Sequence, residues 1–146
     1  MKQILGDDAV VVNRSVVISL SGASDQGWHC DGPHLSTTEY LPCHVLNVFI
    51  PLVDTNHMNG PTEFRPSSQY LTRDFSRMYL AAFIGKRLKP TQAPCLKKGS
   101  ALLFDYRVLH RGKQNISSES RPVLVFTFAK PFYKDVLNFN KRSLFD

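Results

Sequence analysis

His29 and Asp31 are separated by a single residue, Cys30. In an extended segment, side chains two positions apart leave the same face. The pair can therefore grip one metal ion from one side while Cys30 faces away. A third ligand must come from elsewhere, and His110, just beyond the apolar stretch ending at Tyr106, is placed to supply it. Two imidazoles and one carboxylate on one face of a metal, with the opposite face open, are the donor set of non-haem iron(II) oxygenase centres. The set holds no soft ligand, so it leans away from copper(I) and structural zinc. An HxD pair by itself is a weak motif. His34, His44 and His57 compete for the same role, and His29, Asp31 and His34 can form a local site by themselves.

Arg121 follows His110 by eleven residues and heads the most apolar stretch of the chain. An unpaired buried charge is very costly, so a guanidinium at the start of a buried strand needs an anionic partner. An internal ion pair with Asp or Glu is the ordinary solution. The other is the carboxylate of a ligand, for which the planar fork of arginine is suited.

The elements that must position these residues read as short strands. Residues 9–20 are rich in β-branched side chains and predict one long or two short strands. Further strands are expected over 45–53, 62–65, 100–106 and 121–129, separated by Gly, Pro and Asn turns. Ser67 or Ser68 can cap a helix running to about Gly85, with Tyr70, Leu71, Phe75, Met78, Tyr79 and Ala82 at helical spacing. Residues 111–120 read as a loop. Many short strands and a single main helix predict a mainly β fold, a sandwich or jelly roll.

The composition excludes several classes. The chain has 146 residues, 42% of them hydrophobic and 21% charged, values of a globular domain large enough for one core. Its cysteines, Cys30, Cys43 and Cys95, form neither a CxxC spacing nor an even set, which argues against a disulfide framework and a zinc ribbon. The formal charge of +6 suits an anionic substrate or cosubstrate. With no basic helix, zinc-finger spacing or RNA-binding aromatic motif, no nucleic-acid partner is expected. No apolar run reaches the ~20 residues that a membrane span needs, and the N-terminus is not a signal peptide. Cytoplasm is the default location.

Beyond HxD, the chain carries Asn-Gly-Pro-Thr-Glu-Phe-Arg-Pro-Ser-Ser, then Gly-Ser-Ala-Leu-Leu-Phe-Asp-Tyr-Arg-Val-Leu-His-Arg-Gly, then Arg-Pro-Val-Leu. These motifs, in this order, resemble the phytanoyl-CoA dioxygenase family of iron(II)- and 2-oxoglutarate-dependent oxygenases. The resemblance runs from about Val10 to the C-terminus and implies a double-stranded β-helix of the jelly-roll, cupin-like kind. Carried over by position, His29, Asp31 and His110 would hold Fe(II), and Arg121 would bind the distal carboxylate of 2-oxoglutarate. Asn47, Phe49 and Thr62 would flank the cosubstrate, as would a residue near Val11 or Asn13, while Glu63 reads equally as a surface charge. The reaction implied consumes O2 and 2-oxoglutarate and hydroxylates a small-molecule substrate. Relatives that halogenate carry a small residue in place of the carboxylate, so Asp31 points to hydroxylation.

The resemblance also implies that residues 1–146 are a single dioxygenase core lacking the family's usual N-terminal extension. That leaves a core face open as an interaction surface, and a second reading of the chain is a truncated, catalytically silent β-sandwich that binds a partner. A third is a cupin-like zinc hydrolase or isomerase, which has no need of Arg121 as an anion clamp.

Overall fold

The computed structural model describes residues 1–73, 80 and 89–134. Its strands are β1 (Val10–Ser19), β2 (Val45–Pro51), β3 (Thr62–Phe64), β4 (Leu102–Asp105), β5 (His110–Gly112) and β6 (Arg121–Ala129). A one-turn helix, α1 (Lys2–Leu5), precedes them and buries Leu5. The larger antiparallel sheet has the order β1-β6-β2-β4, and β3 pairs with β5 in a second sheet. The expected mainly β jelly roll holds. Short β-branched runs interrupted by Gly and Pro can bury one face each only by stacking as sheets.

The strand β6 shows how the sequence builds the cavity wall. Arg121, Val123, Val125, Thr127 and Ala129 are buried, while the residues between them are partly exposed. On its two flanks, Thr127 pairs with Asn47 of β2 and Asn13 of β1, and Val125 pairs with Phe49 and Ser15. All six therefore share one face, by the two-residue repeat of a strand. A bulge between Val11 and Asn13 sets that register on β1. It turns Val12 toward the cluster of Val45, Tyr106 and Ala129, and places Asn13 rather than Val11 on the cavity side.

Some expectations shift. Of the two options for residues 9–20, the chain takes one long strand, Val10–Ser19. Residues 110–112, read as the edge of a loop, pair with β3 through Thr62↔Gly112 and Phe64↔His110. That pairing is a long-range contact that local composition does not encode. The expected helix falls mostly outside the described residues; its described start is a 3-10 turn over Ser68–Tyr70, entered through Ser67 in a left-handed conformation. β1 forms one edge of its sheet, and Val10, Val11, Val16, Val17 and Ile18 on it are exposed.

Behind the larger sheet lies a buried polar cluster. The Arg107 side chain is 1% exposed and forks onto Asp105, with Nε to Oδ1 at 2.9 Å and Nη2 to Oδ2 at 2.7 Å. Its Nη1 donates to the Leu41 carbonyl at 2.9 Å, and the Tyr40 ring covers the guanidinium. Burial pushes the Asp105 carboxyl up, but the Arg107 hydrogen bonds outweigh it and hold the net value below the ordinary one. Breaking such a pair strands a charge, so Arg107→Ala is expected to cost about 3–5 kcal/mol, read from urea unfolding.

The same region carries two histidines that fold neutral. Burial pushes the His34 imidazole down to about 4, and His44 also falls below its ordinary value, first through burial and then through Arg107. Unfolded histidine titrates near 6.5. Between about 6.5 and 4 the unfolded chain thus binds more protons, and stability drops as pH falls through that window. The urea midpoint is expected to decrease from neutral to mildly acid pH, and His34→Gln to make that decrease smaller.

Candidate metal centre

His29 reaches the site by pairing across the sheet interior. Its N–H donates to the His110 carbonyl at 3.0 Å, and the His110 N–H donates back to the His29 carbonyl at 2.8 Å. This reciprocal exchange is that of a hydrogen-bonded antiparallel pair, and it sets the two rings with centroids 4.4 Å apart. Two residues later the Asp31 N–H donates to the Tyr106 carbonyl at 3.0 Å, which fixes the carboxylate on the same side. Gly32 follows because a Cβ there would run into the Tyr106 ring.

Both imidazoles are in a ligand-ready tautomer. Nδ1 of His29 lies 2.8 Å from the Gly27 carbonyl, and Nδ1 of His110 lies 3.0 Å from the Val108 carbonyl. A carbonyl can only accept, so each Nδ1 carries a proton, and in the neutral ring Nε2 is then the nitrogen free to take a metal. Those atoms face Asp31: Nε2 of His29 is 3.8 Å from Oδ1, and Nε2 of His110 is 3.5 Å from Oδ2. The three donor atoms all lie within 4.8 Å of one another. His110 is 3% exposed and rests against Phe64 and Phe104. Burial lowers its pKa and favours the neutral ring that a metal requires.

The competing histidines stand elsewhere. His34 is hydrogen-bonded to Thr72, His44 packs on Tyr133, and His57 neighbours Cys95. A local site of His29, Asp31 and His34 is therefore not what the chain builds. The turn at Gly32 carries His34 away from the strand face that the other two share. Cys30 is not part of the donor cluster either, and burial pushes its thiol up to about 11.

Arg121 is 5% exposed, and no ion pair joins it to any carboxylate among the described residues. Its Nε donates to the Asn59 carbonyl at 3.0 Å, and burial lowers its pKa. Among the described residues, no internal ion pair accounts for its burial. Its position aims at a cavity of about 320 Å³ that His29, Asp31 and His110 also line. Asn13, Asn47, Phe49 and Thr62 complete the walls relevant to the expected site. Glu63 is no solitary surface charge: it pairs with Arg111 at 2.7 Å.

Two contributions escape reading from sequence. Asn59 holds Arg121 through its backbone, within a loop that its own side chain ties by bonds to the Asn56 N–H and the Asp54 carbonyl. Gly60 follows with φ 76, packed so closely on the Lys113 and Gln114 carbonyls that no side chain fits. Asn47 does more than line the cavity, since its Nδ2 donates to Asp31 Oδ2 and its Oδ1 accepts from Thr127 Oγ1. The only sequence signal for either was an asparagine-rich turn and one polar residue in an apolar strand.

Comparison with known proteins agrees with this architecture. EvdMO1 superposes with a TM-score of 0.74 at 25% identity over 89% of this chain and 29% of its own. EctD from S. alaskensis, solved with bound Fe, gives 0.64 at 20% identity over 88% and 47%. HygX from Streptomyces hygroscopicus, solved with nickel, 2-oxoglutarate and hygromycin B, gives 0.67 at 10% identity over 90% and 60%. The chain thus spans less than two thirds of each of these proteins, and the last two likenesses speak for the fold. No described helix is long and apolar enough to cross a membrane. The sequence profile of the family named phytanoyl-CoA dioxygenase (PhyH) matches residues 1–123, and the chain belongs to that family.

Proposed function

We propose that this chain is the core domain of an iron(II)- and 2-oxoglutarate-dependent dioxygenase that hydroxylates a small organic substrate. One observation carries the reading: a cavity shared by two tautomer-locked histidines, one carboxylate and a buried guanidinium that has no carboxylate of its own among the described residues. The donor set fits iron(II) in chemistry, with two neutral nitrogens, one anionic oxygen and no soft ligand.

His29, Asp31 and His110 would hold the ion, and Arg121 would clamp the distal carboxylate of 2-oxoglutarate through its planar fork. Iron, 2-oxoglutarate and O2 together supply the oxidation, yielding succinate, carbon dioxide and a hydroxylated product. The protein's work is to orient and to exclude side reactions. Phe49, Phe64 and Phe104 form an apolar wall beside His110. Thr62 and Asn13 offer polar contacts across the cavity. Asp31 in the third ligand position favours hydroxylation over halogenation. The structural relatives solved with iron, or with nickel and 2-oxoglutarate, support the same cofactor set.

The test is anaerobic titration of the apo protein with iron(II) and then 2-oxoglutarate, followed by the visible charge-transfer band of the chelate. A band that is lost in His110→Ala and Arg121→Ala supports the reading. A folded protein that gives no band favours the silent partner-binding module. Metal binding without any 2-oxoglutarate response would turn the assignment toward a zinc hydrolase or isomerase.

A further inference from the structure

We infer that Asn47 and Thr127 form a positioning relay that holds the Asp31 carboxylate in its ligating orientation; the inference rests on the iron site proposed above. The direction of every bond in the relay is forced. A carboxylate oxygen can only accept, so the Asn47 amide must turn its NH2 toward Asp31 Oδ2. Its carbonyl then faces Thr127, whose hydroxyl must donate, at 2.8 Å. Neither group can rotate without losing a bond, and both residues are 1% exposed, so water does not replace what is lost.

The placement within the sheet argues for a purpose beyond packing. Asn47 is the only polar residue of β2, and Thr127 is the only one of β6 besides Arg121. The two are direct cross-strand partners. Buried polar groups cost stability unless they are satisfied, and here they satisfy each other and Asp31. Asp31 itself sits just outside the strands, its backbone held by the Tyr106 carbonyl. The relay adds a restraint on its side chain from a rigid sheet. With Oδ2 engaged by the amide, Oδ1 would be the oxygen left to hold the ion.

The test measures Co(II) and Fe(II) affinity by calorimetry, together with the visible ligand-field spectrum of the Co(II) form. Thr127→Val removes the donor at nearly constant shape and is expected to weaken binding about 10-fold. Asn47→Ala is expected to weaken it about 10–100-fold, the range for partners of metal ligands, and both variants should shift the Co(II) bands. Thr127→Ser keeps the hydroxyl and should restore wild-type affinity and spectrum. Folded variants with unchanged affinity and spectrum would overturn the relay, as would a Thr127→Ser protein that behaves like Thr127→Val. If Asn47→Ala fails to fold, the Thr127 pair decides. A wild-type protein that binds neither ion refutes the iron reading and the relay with it. A wild-type ion with unaffected variants refutes the relay only.

Discussion

Arg121→Ala is expected to raise the dissociation constant for 2-oxoglutarate about 100-fold or more while leaving the affinity for the metal unchanged. Truncating one member of a buried, hydrogen-bonded charge pair costs about 2–5 kcal/mol, and each 1.4 kcal/mol is about tenfold in affinity. Arg121 meets the conditions for the upper part of that range, because it is buried and has no protein carboxylate to share its charge among the described residues. Arg121→Lys keeps the charge but not the fork, so an intermediate loss is expected. Stability gives an independent readout. Without ligand the guanidinium is desolvated and, among the described residues, held by the Asn59 carbonyl, so Arg121→Met should unfold at the same temperature as the wild type or higher. Calorimetric 2-oxoglutarate affinity within threefold of wild type in Arg121→Ala would remove Arg121 from the cosubstrate site.

The second large effect separates ligation from packing. His110→Ala and His29→Ala each delete one of the two nitrogens proposed to hold the metal, and each should abolish the thermal stabilisation that iron(II) or cobalt(II) confers. At a metal concentration 100 times the dissociation constant that stabilisation is about 2.7 kcal/mol. Their effects on the apo protein should differ. His110 is buried against Phe49, Phe64 and Phe104, so its truncation leaves a cavity and is expected to cost about 2–4 kcal/mol. The His29 ring is partly open to the cavity, and its loss should cost the apo protein under about 1 kcal/mol. Differential scanning with and without metal checks both expectations. Retained metal stabilisation in either variant would mean that the site lies elsewhere.

Much of this design is legible from the sequence because it is local. The apolar run 121–129 predicts a strand, and Arg121 stands at its head. The spacing of His29 and Asp31 predicts that they can grip one metal ion, since a two-residue repeat needs only an extended backbone. The apolar run holding Asn47 and Phe49 predicts β2, and the ordered motifs carry the family resemblance. Each of these signals lies within a few residues of chain, where backbone geometry alone relates the side chains.

The tertiary structure decides whatever depends on which strand pairs with which. His110, rather than His34, meets His29 and Asp31 because its backbone exchanges hydrogen bonds with His29, a contact between distant parts of the chain. Asn13 rather than Val11 enters the cavity because of a bulge that appears only in register with β6. Asn47 bonds Asp31, and Asn59 holds Arg121, through cross-strand and loop contacts that no periodicity announces. The partner of Arg121 was open in the sequence, where an internal carboxylate is the ordinary expectation and a ligand carboxylate the alternative. It took the assembled sheet to show that no described carboxylate reaches it. Residue type and spacing thus determined which chemistry the chain can offer. Long-range pairing determined which of those residues meet, because the free energy of strand register is spread over a whole sheet and not written at any one position.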